Sequence, residues 1–233
     1  MEAQSYIFRR YKKDAIMIVT VFGDVHGNLV ALEQFLKIEQ SQTDLFVSHG
    51  DIVNYGPWTN ECISLVKELN NCILLKGNHE HYFIDGKYDG QHEVAKAFFD
   101  FCYTKFDKNY IIDLFNYKEQ LILSNFTIQH TIGQQYIFQD TNIDSIHLVS
   151  DYIIGHSHQQ YERQKDNFKI YNTGSIGQNR SLLNLSCYLK IDTEKKTVEL
   201  KNFIHDVDKV INKMKVEKYP TLCLDYYKSK KRV

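Results

Sequence analysis

Proline is almost missing from this chain of 233 residues: Pro57 and Pro220 are the only two. No proline-rich linker therefore divides it, and its length suits one domain, residues 1–233. Paired cysteines are missing as well. Cys62, Cys72, Cys102, Cys187 and Cys223 are odd in number and include no Cys-x-x-Cys pair, as expected of reduced core thiols in a cytoplasmic protein. Neither sign of charge is in surplus. Lysine plus arginine total 28 and aspartate plus glutamate 29, a net charge of −1. That balance argues against a dedicated binder of long nucleic acid but not against a small phosphorylated substrate. No apolar run is long enough to cross a bilayer, and no small-residue cleavage site follows the basic stretch Arg9, Arg10, Lys12 and Lys13. Neither a membrane span nor a signal peptide is expected. Hydrophobic residues make up 43%, which excludes disorder.

What is present is one pattern, repeated. Ile16 to Phe22 is an apolar run that reads as a buried strand and ends in Gly23-Asp24-Val-His26-Gly27. Asn28 is a plausible N-cap, and Leu29, Leu32, Phe35 and Leu36 have helical spacing, predicting a helix from Leu29 to about Gln40. Leu45 to Ser48 is a second apolar strand, ending in His49-Gly50-Asp51. Strand, helix and strand of these lengths imply a parallel βαβ unit. Asn60 to Leu69 reads as a helix. Cys72 to Leu75 is a third strand, ending in Gly77-Asn78-His79-Glu80.

Further on, Gln91 to about Tyr117 is expected to be one helix, and Leu121–Leu123 with Phe126–His130 a hairpin. Gly133 to Leu148 is poorly patterned and reads as loop with a short helix. Tyr152 to Ile154 is a strand ending in Gly155-His156-Ser-His158, and Lys169 to Tyr171 leads into Asn172-Thr-Gly-Ser-Ile-Gly177. Strands are expected near Leu185–Ile191 and Thr197–Phe203. Residues 1–14 read as an N-terminal extension, and residues 206–233 as a short helix with a frayed basic tail.

The carboxyl edge of a parallel sheet is where ligands bind. Asp24, His26, Asp51, Asn78, His130, His156 and His158 all fall at strand ends, and residues i and i+2 of such a segment can face one side. Two carboxylates, one amide oxygen and four imidazoles exceed what one tetrahedral ion needs. They suit two ions of higher coordination sharing a carboxylate, with Asp51 as the bridge. One ion would take Asp24, His26, Asp51 and His158, and the other Asp51, Asn78, His130 and His156. Two such ions can hold a hydroxide between them and clamp a phosphoryl oxygen.

The order Asp24-x-His26, Gly50-Asp51, Gly77-Asn78-His79-Glu80, His130 and Gly155-His156-x-His158 resembles the calcineurin-like metallophosphoesterase superfamily. Gly50-Asp-Ile-Val-Asn-Tyr-Gly-Pro57 and Asn172 to Gly177 resemble its small bacterial-type phosphodiesterase branch. The resemblance covers about residues 16 to 180. It implies an α/β fold, a four-layer α/β/β/α sandwich of two mixed sheets. It also implies two divalent metal ions, manganese foremost, with iron, zinc or nickel as alternatives. The implied function is hydrolysis of a phosphodiester or phosphomonoester by a metal-bridging hydroxide. Catalysis would fall to His79 and Asp51, with His79 as general acid, and substrate binding to Asn78 and His79.

Two departures matter. Thr131 follows His130 where relatives usually carry glycine. Asn54-Tyr55 stands where relatives acting on phosphoproteins or dinucleoside polyphosphates often have Asp-Arg. The missing arginine disfavours a protein phosphatase or a dinucleoside tetraphosphatase, and Arg180 offers a replacement grip on phosphate. The substrate is therefore expected to be a small phosphate ester or nucleotide. The rival reading is a non-catalytic scaffold on the same fold, which the loss of a ligand type would signal. None is lost.

Overall fold

The computed structural model describes residues 16–133 and 135–233. The expected N-terminal extension, residues 1–14, lies outside the described residues. Two five-stranded sheets stack face to face. The first has the order β10-β9-β1-β2-β3, with β1 (Ile18–Phe22), β2 (Leu45–Ser48), β3 (Cys72–Leu74), β9 (Leu185–Asp192) and β10 (Thr197–Ile204). The second has the order β4-β5-β6-β8-β7, with β4 (Gln120–Leu123), β5 (Phe126–Gln129), β6 (Asp151–Ile154), β7 (Gln160–Lys165) and β8 (Phe168–Thr173). Each sheet is mixed. β1, β2 and β3 run parallel, as do β5, β6 and β8, and antiparallel partners flank both sets.

Burial explains the central strands. β1 and β2 are apolar on both faces because both faces are covered. Val19, Val21, Leu45 and Val47 point into the layer between the sheets with Ile128, Ile153 and Leu189. Phe22 and Phe46 point outward, under the helices. Helix α1 (Leu29–Glu39) starts where the Asn28 side chain accepts from the Ala31 amide at 3.0 Å. It buries Leu32, Phe35 and Leu36 against that face, worth about 2 kcal/mol per side chain. α2 (Thr59–Lys67) lies beside it. The outer face of the second sheet carries Ile154, Tyr161 and Ile170, covered by Ile137, Ile143 and Leu148.

Several expectations need correction. Gly133–Leu148 contains no helix among its described residues; its apolar side chains cover the sheet as irregular chain. The expected single helix from Gln91 to Tyr117 is α4 (Glu93–Lys105), a short 3₁₀ turn (Lys108–Tyr110) and α5 (Ile111–Asn116). Phe106 is extended, at ψ 128°, and packs its ring 4.9 Å from Phe83. Asp107 then restarts the chain by accepting from the Asn109 amide. Before the C-terminal segment, two elements were not expected: α3 (Asn78–Asp85), which precedes α4, and β7. Among the described residues β7 is an edge strand paired only with β8, and its polar sequence shows no alternation beyond buried Tyr161.

The C-terminal segment is also more ordered than its charge suggested. α6 (Val207–Val216) is followed by α7 (Thr221–Lys228), which buries Cys223 and Tyr227. The last residues are tied down: the Leu183 amide donates to the Lys231 carbonyl and the Val233 amide to Asn184 Oδ1. Among the described residues no helix is long and apolar enough to cross a membrane.

Candidate metal centre

The turns after the strands lie side by side and are bonded to one another. The amides of Asp24, His26 and Gly27 donate to the carbonyls of Gly50, Asp51 and Ile52 at 2.8–2.9 Å. The second sheet's turn is tied in by the His156 amide, which donates to Asp24 Oδ2 at 2.9 Å. Asn172 to Gly177 acts as a brace: Asn172 Nδ2 donates to the Gly155 carbonyl, and Ser175 Oγ to the Asp24 carbonyl. Asp24, His26, Asp51, His156 and His158 all have φ between 47° and 65°. Left-handed backbone strains a residue with a Cβ, though Asp and His tolerate it better than most. Five such residues around one centre persist because these bonds over-determine them.

The side chains converge in two groups. In the first, His26 Nε2 and His158 Nε2 lie 3.1 Å apart, and Asp24 Oδ1 lies 3.2 Å from His158 Nε2 and 3.6 Å from His26 Nε2. In the second, His130 Nε2 lies 3.0 Å from Asn78 Oδ1 and 3.1 Å from His156 Nδ1. Asp51 Oδ2 belongs to both, 3.7 Å from His26 Nε2 and 3.3 Å from His130 Nε2. All seven residues named from the sequence are thus brought together.

These residues fit divalent ions. His26 Nδ1 donates to the Val53 carbonyl and His158 Nδ1 to the Gln178 carbonyl. In the neutral rings, each Nε2 therefore turns a lone pair toward the other, which only a cation or a proton can satisfy. Asp24 Oδ1 is buried there without a hydrogen-bond donor. Two donors about 2.1 Å from one octahedral ion lie about 3 Å apart, matching these spacings. Asp24, His26 and His158 form one set able to hold a metal, and Asp51, His130 and His156 another.

The electrostatics follow from burial. Burial pushes the Asp24 and Asp51 carboxyls up, but the imidazoles around them more than offset it and hold both well below the usual range. Burial pushes His156 and His79 down to about 3. His130 moves the other way: burial opposes its charge, yet Asp51 raises it to about 9. Without an ion, the second group favours a proton in the ion's place.

Three residues had no sequence-assigned role. Glu80 is fully buried and accepts from the amides of Asp51 and Gly77 at 2.7 Å and of Ile52 at 2.8 Å. It clamps the Asp51 turn to the start of α3; its place in the Gly-Asn-His-Glu run was the only signal. Asn54 Nδ2 lies 2.9 Å from His79 Nδ1, beside the metal groups. His49 is fully buried, its Nε2 2.7 Å from Thr173 Oγ1 and 3.9 Å from Asp24 Oδ2. It is wedged between Gly23 and Gly155, where an added Cβ would stand 2.2 Å and 2.0 Å from its Cε1.

A cavity of about 1050 Å³ opens beside the centre, bordered by Asn78, His79, His130 and His156 and, farther out, by Arg180. Arg180 does not reach into the metal groups; its guanidinium lies 4.7 Å over the Tyr136 ring. Thr131 does not displace His130: its hydroxyl donates to the Gln135 carbonyl, and the imidazole still meets Asn78 and His156.

Residues 17–172 match the family model of the calcineurin-like phosphoesterases. The uncharacterized protein MJ0912 of Methanocaldococcus jannaschii is 28% identical over 231 residues, spanning 87% of this chain and 94% of that protein. Two solved structures share the fold. A metallophosphoesterase from Sphaerobacter thermophilus has TM-score 0.74 and 21% identity, over 92% of this chain and 99% of that one. The hypothetical protein PH1004 from Pyrococcus horikoshii OT3 has TM-score 0.77 and 16% identity, over 90% of this chain and 97% of that one.

Proposed function

The chain belongs to the calcineurin-like phosphoesterase family, and from that premise we propose that it is a dinuclear, metal-dependent hydrolase of small phosphate esters, phosphodiesters before phosphoproteins. The carrying observation is the pairing of donors: two imidazoles facing each other through Nε2 at 3.1 Å, with Asp51 Oδ2 common to their group and to that of His130. On this reading Asp24, His26, Asp51 and His158 hold one ion, and Asp51, Asn78, His130 and His156 the other. Divalent ions, manganese foremost, would supply positive charge to the phosphoryl oxygens and make the attacking water more acidic.

His79 is the general acid. It opens α3, directly after Asn78, and its amide donates to Asp51 Oδ1 at 2.8 Å, which fixes its backbone to the centre. Its ring stands edge-on to His26, with Nε2 4.0 Å from Asp51 Oδ2. Asn54 meets the opposite nitrogen. An amide can turn either its NH₂ or its carbonyl to that nitrogen, so the neutral and the protonated ring both keep a partner. Burial keeps the ring neutral at rest, and an anionic ester beside it favours the protonated form. The proton then passes from Nε2 to the leaving oxygen.

The test is metal analysis of the protein alongside turnover of bis(p-nitrophenyl) phosphate, with and without manganese. Two ions per chain and manganese-dependent turnover are expected. Metal-replete protein without turnover of any phosphate ester would overturn the reading.

A further inference from the structure

The mouth of the cavity carries chemistry that hydrolysis alone does not need. Three tyrosines each lean on a histidine of the centre. Tyr55 is edge-on to His26 and His79 at 4.9 and 5.3 Å, Tyr82 is edge-on to His79 at 5.6 Å, and Tyr136 is stacked on His156 at 3.9 Å. Tyr88 extends the Tyr82 wall, their centroids 4.8 Å apart. Tyr55 packs on Phe98, but the other rings keep part of their surface open: Tyr82 and Tyr88 lean on the core and are half-buried, and Tyr136 is 47% exposed. Rings left open around a cavity of about 1050 Å³ offer stacking faces to a flat guest.

Two cations share this mouth. Arg180 lies over Tyr136, and Lys230, just beyond α7, lies 4.4 Å over the Tyr226 ring. Among the described residues, no carboxylate lies within ion-pair distance of either. The other cavity lysine, Lys76, is paired with Glu119 at 2.9 Å. Burial and, after it, the charge of Arg180 push the Lys230 ammonium down, as expected of like charges awaiting an anion. Arg180 and Lys230 come from segments some fifty residues apart, so their meeting is a product of the fold.

We propose that this mouth is a nucleotide subsite: a base stacks among Tyr82, Tyr88 and Tyr136, and a phosphate other than the scissile one is held by Arg180 and Lys230. The proposal rests on the phosphoesterase reading and narrows its substrate class to nucleotides with more than one phosphate. The cations take the role left open by Tyr55, but at the rim.

The test titrates adenosine 3′,5′-bisphosphate, adenosine 5′-monophosphate and ribose 5-phosphate onto the manganese-reconstituted full chain, with bis(p-nitrophenyl) phosphate turnover measured in parallel. The bisphosphate is expected to bind tightest and ribose 5-phosphate weakest, by roughly ten- to hundredfold for the base. Arg180→Met and Lys230→Met should each erase most of the preference for bisphosphate over monophosphate. Tyr136→Ala should weaken both adenine probes about tenfold and leave ribose 5-phosphate unchanged, with an unaltered melting curve showing intact folding. Equal binding of all three probes by a protein that turns over the aryl ester would overturn the subsite and keep the hydrolase. Ranked binding without turnover of any ester would uphold the subsite and overturn the hydrolase.

Discussion

The floor of the cavity and its rim are built on opposite principles. On the floor, Asp24, His26, Asp51, His130, His156 and His158 are all buried, and the turns that carry them are tied to one another through backbone amides. At the rim, Tyr82, Tyr88, Tyr136, Arg180 and Lys230 come from separate segments and are half-buried or exposed. They meet largely through ring contacts. The difference teaches where each function can change. Floor positions are fixed by neighbours that would all have to move, whereas the charged rim positions, Arg180 and Lys230, can be exchanged with little cost to the fold.

If the contrast holds, floor substitutions should abolish and rim substitutions should retune. Asp51→Asn should have the largest effect, a fall in kcat/KM of at least about 10³-fold, with metal analysis showing both ions weakened together. Retention of two tightly held ions would end the shared role of Asp51. His79→Ala should lower kcat by about 10²–10⁴-fold at unchanged metal content; equal turnover would remove it from proton transfer. Glu80→Gln, one layer beneath, should weaken metal affinity by roughly 10–100-fold, read by competition with a chelator. At the rim, Tyr82→Ala should raise KM for a nucleotide ester about tenfold with little change in kcat. A collapse of kcat there would blur the distinction between floor and rim.

The smallest expected effect concerns a brace under the floor. His205 is buried, its Nδ1 meeting Ser186 Oγ and its Nε2 meeting Asn28 Nδ2. Burial pushes it down to about 4, against a weaker pull from Asp206. In the unfolded chain it titrates near the ordinary value of about 6.5. Below that pH the unfolded state takes up a proton that the folded state refuses. Its stabilising contribution is complete above about pH 6.5 and is lost as pH falls toward 4, at up to about 1.4 kcal/mol per pH unit. Chemical denaturation of His205→Gln between pH 7 and 5 should show a shallower loss than the parent chain.

Legibility followed the same divide. Strand-end motifs could be read because a short apolar run, a glycine and a donor residue form a local signal, and three donors of the first group lie within two turns. The parallel β1-α1-β2 unit and the hairpin of β4 and β5 were local for the same reason. His49 escaped because its partners, Gly23, Gly155 and Thr173, are distant in sequence. α3 escaped because Asn78-His79-Glu80 reads as polar loop; its helical start rests on the Gly77 amide reaching Glu80. β7 escaped because an edge strand carries little apolar alternation. The rim was least legible: Tyr226 and Lys230 read as a basic tail until α7 is folded against α4 through Cys223 and Tyr227.

The wedge at His49 has a consequence for descent. Its imidazole fills the volume that side chains at positions 23 and 155 would otherwise take. Any lineage keeping this histidine must keep both glycines, and any lineage trading it for a small residue is released from that demand at position 23 but not at 155, where an added Cβ would also stand 2.4 Å from Asp24 Oδ2. Positions 23 and 49 should therefore be inherited together, a covariation that links the turns after β1 and β2 directly beneath Asp24.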